Sequence, residues 1–153
     1  MKRTVDPYND LTVIDDRAPR TNQAFIGSLA LVAYLADWPW LVGILALQLA
    51  VGLTLGRRFC LPCLLYFEFL QPRIGEGRIE DSRPPRFANM IGVVFLGAST
   101  LAFIVGLSTV GWILALIVSA LALLAASTGL CVGCEAYLWI ARVRGLTVDR
   151  HPA

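Results

Sequence analysis

The sequence predicts an all-α membrane protein in which four transmembrane helices form two tandem hairpins, with both chain ends on the cytoplasmic side. Three observations predict it: long apolar runs nearly free of charge, two turn signals that each split a pair of such runs, and basic residues confined to one side. Of the 153 residues 57% are apolar and only 16% charged, and the mean hydropathy is +0.67, so lipid is the expected solvent for most of the chain.

Residues 1–16 read as a polar, flexible cytoplasmic arm. The opening is too long and too acidic in its charged part for a secretory signal. No small-x-small cleavage site follows the first apolar run, which is therefore expected to stay in the mature protein.

The first repeat, 17–82, holds two apolar runs between Thr21 and Leu55, split by Asp37-Trp38-Pro39-Trp40. Pro39 cannot continue a helix interior, Asp37 does not belong in hydrocarbon, and the two tryptophans suit the headgroup level. The second repeat, 83–145, holds runs from about Phe87 to Leu107 and from Trp112 to Leu130, with Ser108-Thr109-Val110-Gly111 as the expected turn. Gly92, Gly97, Ala98, Ser99 and Ala102 on one run, and Ser119, Ala120, Ala122, Ala125 and Ala126 on the other, are small enough for close helix approach in lipid. Residues 146–153 form a tail carrying the one histidine, His151, expected to be solvated rather than a ligand.

Orientation follows from the basic residues. All 13 Lys and Arg side chains, from Lys2 and Arg3 through Arg57, Arg58 and Arg78 to Arg150, fall on the side of the N-terminus, and neither opposite turn has one. The net charge of +2 and the pI near 8.5 are then explained by topology and headgroup contact. No nucleic-acid module is present, so nucleic acid is not an expected partner.

The halves look duplicated. Arg17-Ala18-Pro19-Arg20 matches Arg83-Pro84-Pro85-Arg86, each followed by a hairpin and a C-x-x-C pair; at a constant offset of 71, Cys60, Cys63, Tyr66 and Arg73 fall on Cys131, Cys134, Tyr137 and Arg144. Each unit has an even number of spans, so the repeats are parallel and both cysteine pairs share one face. In R-x-P-R the proline fixes the backbone before a helix. Arg17, Arg20, Arg83 and Arg86 then serve either as interface anchors or as a clamp for an anionic substrate.

All four cysteines occur in the two pairs, Cys60-Leu61-Pro62-Cys63 and Cys131-Val132-Gly133-Cys134. The spacing sets two sulfurs one helical turn apart, able to close a reducible disulfide or to hold a soft metal. The first pair has Pro just before its second Cys, as thioredoxin-like motifs do. If Cys60 caps a helix, the dipole, Arg57 and Arg58 favour its thiolate. Glu135, directly after the second pair, is either a proton relay or a solvated helix residue. Cytoplasmic thiols are normally kept reduced, which favours a transient catalytic disulfide over a structural one. The alternative is that Cys60, Cys63, Cys131 and Cys134 complete a zinc site or pass Cu(I) between pairs, and the bland reading is inert packing. No Gly-rich phosphate loop, no H-E-x-x-H and no Ser/His/Asp set appears, and the spans carry no mid-membrane charge, so hydrolysis, ATP-driven transport and a conventional ion pathway find no support.

The D-D-R-A-P-R opening, the D-S-R-P-P-R-F-A start of the second hairpin and the closing C-V-G-C-E-x-Y resemble an uncharacterised bacterial membrane family, domain of unknown function 4395, over about Ile14 to Arg144. The resemblance implies a role resting on Cys131 and Cys134, with Cys60 and Cys63 as an accessory pair. It also implies thioredoxin-like or rhodanese-like sulfurtransferase partners, which suits thiol or sulfane-sulfur traffic at the membrane. The cofactor stays unknown at this stage.

The expected function is a thiol-disulfide or persulfide relay using Cys131, Cys134, Cys60, Cys63 and Glu135. The alternatives are a soft-metal binding or transport protein and a non-enzymatic membrane scaffold. Four short helices leave little room to enclose a pathway in one protomer, so a homodimer is a further expectation.

Overall fold

The computed structural model describes residues 6–146 and is mostly helical. Lys2, Arg3, Arg150 and His151 lie outside the described residues, as do the first residues of the arm and nearly all of the tail.

Four long helices build the body: α1 (Arg17–Leu35), α2 (Pro39–Thr54), α5 (Arg83–Ile104) and α6 (Ser108–Thr128). Between the halves run a helical turn, Arg57–Phe59, and a helix that starts as α3 (Leu61–Leu65), passes a π-helical turn at Tyr66–Leu70 and ends as α4 (Gln71–Ile74). The chain finishes with α7 (Val132–Val143). α1 packs along α6 and α2 along α5, so each half contributes one helix to each close pair. The core between them joins Ile26, Ala30 and Ala33 to Val42, Leu45, Leu49, Leu96 and Ala115.

Both hairpins turn by the same device. The N–H groups of Trp38 and Leu107 reach back to the carbonyls of Ala33 and Ala102 at 2.8 Å each, and Asp37 (φ 52°) and Gly106 (φ 83°) take the left-handed position that this closure needs. Pro39 then opens α2, where its missing N–H costs nothing. The second turn therefore lies at residues 105–107 rather than at Ser108–Gly111, which is the first turn of α6. Gly111 is buried there because the Phe103 ring lies over it, leaving no room for a Cβ.

The expected small-residue contacts divide. Ser99 donates to the Gly111 carbonyl and Ser119 to the Gly27 carbonyl, both at 2.7 Å and buried, and Ala102 and Ala125 are buried with them. Ala98 and Ala120 instead face outward.

The arm does not run free to Asp16. Val13–Asp15 (β1) pairs antiparallel with Ile79–Asp81 (β2), in the register Val13 to Asp81, Ile14 to Glu80 and Asp15 to Ile79. Each strand ends two residues before the matching Arg17 or Arg83, and the ladder is centred on the Ile14–Glu80 pair. The flanking bonds obey the same exchange: Asp16 N–H to the Arg78 carbonyl at 2.9 Å, Ser82 N–H to the Thr12 carbonyl at 3.0 Å. Asp15 and Asp81 then accept from the N–H of Arg17 and Arg83 at 3.0 and 2.8 Å, starting α1 and α5 alike.

Of the four expected spans, α5 and α6 are long and apolar enough to cross a membrane, with 22 and 21 residues. α2 has 16, and α1 begins with Arg17, Arg20, Thr21, Asn22 and Gln23, so only its later part is apolar.

Candidate functional site

Both cysteine pairs lie at the end of the bundle where α1 and α5 begin. Each first cysteine is the N-cap of its helix in the same extended conformation, Cys60 at φ −86°, ψ 102° and Cys131 at φ −86°, ψ 103°. Each second cysteine falls on the first helical turn, so the helix itself brings the sulfurs together. Both pairs are closed as disulfides, with Cα atoms 5.2 and 5.1 Å apart.

The surroundings differ. Cys131 Sγ accepts from the Cys134 backbone N–H and from the Gln23 side-chain amide, each at 3.3 Å. Cys60 Sγ lies 3.9 Å from Asn22 Oδ1 and is only 7% exposed, whereas Cys63, Cys131 and Cys134 are half-buried. Adjacent residues of α1 thus touch one sulfur of each pair. Asn22 is buried, and it donates to Asn89 Oδ1 at 3.3 Å.

Gly133 explains its place in the second motif. α7 crosses α5 so closely that a Cβ at Gly133 would stand 2.9 Å from the Ala88 Cα. Phe87 and Tyr137 meet beside that contact in a tilted pair with ring centroids 5.5 Å apart.

Each disulfide opens onto a cavity containing an arginine of the other repeat. A cavity of about 210 Å³ holds Cys131, Cys134 and Glu135 with Arg20, and its other charged lining residues are Asp16, Glu80 and Asp81. A cavity of about 320 Å³ holds Cys60 and Cys63 with Arg86, Arg57 and Arg58, and has no acidic lining residue. Asn22 and Asn89 line this second cavity and also an apolar cleft of about 110 Å³ between the helices, which reaches Gln23 and Cys131.

Among the described residues, Arg17 donates to the Ile74 carbonyl at 3.3 Å, Arg20 pairs with Asp16 at 3.5 Å, and Arg83 meets Asp81 at 3.9 Å. Arg86 lines the cationic cavity. Arg57 is turned to the arm, donating to the carbonyls of Pro7, Asp10, Leu11 and Val13, and Arg58 lies over the Tyr8 ring. Burial pushes the Arg57 guanidinium below the ordinary arginine value; Arg86 adds to the effect and Asp10 opposes it.

Behind Cys63 sits a polar knot centred on Asp15. Buried Asp15 accepts from the Tyr66 hydroxyl at 2.7 Å, the Gly77 N–H at 2.9 Å and the Gln71 amide at 3.4 Å. Tyr66 and Phe67 pack with Ala18, and Cys63 and Ile14 lie against that cluster. Burial first, and then the bond to Asp15, pushes the Tyr66 phenol far above the ordinary tyrosine value. Gln71 Oε1 is buried without a hydrogen-bond partner among the described residues.

Among the described residues no three His, Cys, Asp or Glu side chains gather as a metal site. Asn22, Gln23 and Asn89 were missed from the sequence; the available signal was that Gln23 and Asn89 occupy equivalent positions three residues after Arg20 and Arg86.

Residues 14–142 match the sequence model of a family described as a domain of unknown function (DUF4395). No curated protein and no solved structure matches the chain.

Proposed function

The chain belongs to this DUF4395 family, and since that description carries no activity, we propose from the chain's own geometry that it is a membrane thiol-disulfide or sulfane-sulfur relay. One observation carries the reading: Cys131 caps α7 and accepts two N–H groups at its sulfur, from Cys134 and Gln23. Donors aimed at sulfur, with the positive end of a helix dipole, favour the thiolate when the disulfide opens.

The reduced pair works in two steps. Cys131 thiolate attacks a sulfur of the partner's disulfide, forming a mixed disulfide and expelling the partner's other sulfur as thiolate. Cys134 then attacks Cys131 Sγ, closing the intramolecular bond and releasing the second partner thiol. Two electrons leave the protein, and Glu135 in the same cavity can take the Cys134 proton. The half-buried pair suits a thioredoxin-like or rhodanese-like protein as the partner.

The membrane part of the reading is four spans, α1, α2, α5 and α6, with the cysteine end cytoplasmic. Supporting it, the apolar windows of α5 and α6 are only 17% and 22% buried in the fold, unlike core helices of a soluble protein. Leu31, Leu35, Leu47, Val94, Leu101 and Ile117 also point outward. α2 spans about 24 Å at 1.5 Å per residue, short for a typical hydrocarbon core of about 30 Å. The membrane thins around it or its flanking residues reach outward.

The test is intact-protein mass spectrometry of anaerobically purified protein, alkylated before and after reduction, with metal analysis of the same sample. Thiols that alkylate only after reduction, or that carry added sulfur, support the relay. Reduced thiols protected by one equivalent of zinc or copper overturn it in favour of the soft-metal reading.

A further inference from the structure

We propose that the Cys60–Cys63 disulfide exchanges with a small anionic thiol held in the cationic cavity beside it, while Cys131–Cys134 serves a protein partner. The inference rests on the relay reading and names a substrate class for its first dithiol.

Size argues for a small molecule. Cys60 is almost wholly buried, and Cys63 is half-buried against Tyr66 and Phe67, so the disulfide is approached through the cavity of about 320 Å³ rather than from the open surface. A thiol of a few heavy atoms fits this space, and the near-complete burial of Cys60 leaves Cys63 as the sulfur it meets.

Charge argues for an anion. Arg57, Arg58 and Arg86 line the cavity and no lining residue is acidic. The Arg57 donors go to four neutral carbonyls, and the carboxylate that opposes the loss of its charge, Asp10, does not line the cavity. Arg86 and Arg57 repel each other, and a carboxylate between them relieves both. The pseudo-equivalent cavity at Cys131 has the reverse character, four carboxylates against Arg20. Two dithiols of the same geometry thus face opposite fields.

The small thiolate attacks Cys63 Sγ, the more exposed sulfur, and the Cys60–Cys63 bond breaks with its electron pair leaving on Cys60. A second molecule of the same thiol attacks the small-molecule sulfur of the mixed disulfide and expels Cys63 as thiolate. Two thiols become one small disulfide, and their two electrons and two protons end on Cys60 and Cys63.

The experiment uses the full chain in phosphatidylcholine nanodiscs and follows reduction of each pair by differential alkylation and mass spectrometry. The probes are 3-mercaptopropionate, 2-mercaptoethanol and cysteamine, each scaled to its rate on a neutral reference disulfide. At Cys60–Cys63 the anionic thiol is expected to be favoured over the cationic one by about tenfold, the preference shrinking with added salt. Arg86→Glu should abolish it. Equal scaled rates, or a preference that survives Arg86→Glu and high salt in the wild type, overturn the inference while leaving the relay intact if Cys131–Cys134 still exchanges. If neither pair opens to any thiol, the relay reading fails with it. A preference that vanishes in phosphatidylglycerol nanodiscs assigns the arginines to lipid headgroups and also overturns the inference.

Discussion

Gln23, in the second turn of α1, donates its side-chain amide to the sulfur of Cys131, 108 residues later in the chain, at 3.3 Å. This bond ties the start of the first repeat to the dithiol of the second. Its neighbour Asn22 lies against the dithiol of the first. Gln23→Leu removes one of the two donors at Cys131 and should slow alkylation of the reduced Cys131 thiol by about fivefold near neutral pH, since one such bond is worth about 1 kcal/mol. The rate profile should move to higher pH, with Cys60 and Cys63 unchanged.

Gly133→Ala places a methyl group against the Ala88 backbone, where neither side can give way as a flexible side chain would. α7 must shift from α5, at a cost of about 1–3 kcal/mol in stability. Thermal unfolding in detergent measures the loss, and Gly97→Ala, with open space at its Cβ, is the control that should leave stability nearly unchanged.

The Tyr66 phenol is held neutral by burial and by donation to Asp15. Its contribution to stability is complete below the ordinary tyrosine value of about 10 and declines as pH rises above it, because the unfolded phenol ionises there and the folded one does not. A wild-type minus Tyr66→Phe difference titration of phenolate absorbance should show no signal until well past that pH. Tyr66→Phe should cost about 1.5–3 kcal/mol at neutral pH by leaving Asp15 short of a donor.

The proposed topology predicts labelling. In a cysteine-free chain in intact cells, a new cysteine at Ser108 should react with an impermeant maleimide, and one at Arg73 only after permeabilisation. The reverse pattern overturns the cytoplasmic assignment of the dithiols.

Much of this arrangement was legible because helical hairpins write themselves locally. Apolar runs, Pro39 and the R-x-P-R starts marked the helices, and the matched C-x-x-C pairs put both dithiols at the same end. The β1–β2 ladder was not legible: three residues are too few for an alternating pattern, and only their pairing reveals it. Asp15 looked like part of a solvated arm because its partners, Tyr66, Gln71 and Gly77, lie more than fifty residues away. Gly106, not the following Ser-Thr-Val-Gly stretch, closes the second turn, since the left-handed position at a helix end outweighs polar composition. The arginine motif was visible, but not that Asp16, Asp81 and the Ile74 carbonyl engage Arg20, Arg83 and Arg17, or that Arg86 lines the cavity.

The most direct test of the relay is trapping. Cys134→Ser leaves the capping Cys131 as an unresolved nucleophile, whereas Cys131→Ser leaves only Cys134. In cells quenched with acid and alkylated before non-reducing electrophoresis, Cys134→Ser should accumulate a reducible covalent complex with a protein partner, and Cys131→Ser should accumulate much less. If neither variant forms a complex and both keep wild-type exchange activity, the second dithiol does not carry electrons or sulfur and the account is wrong.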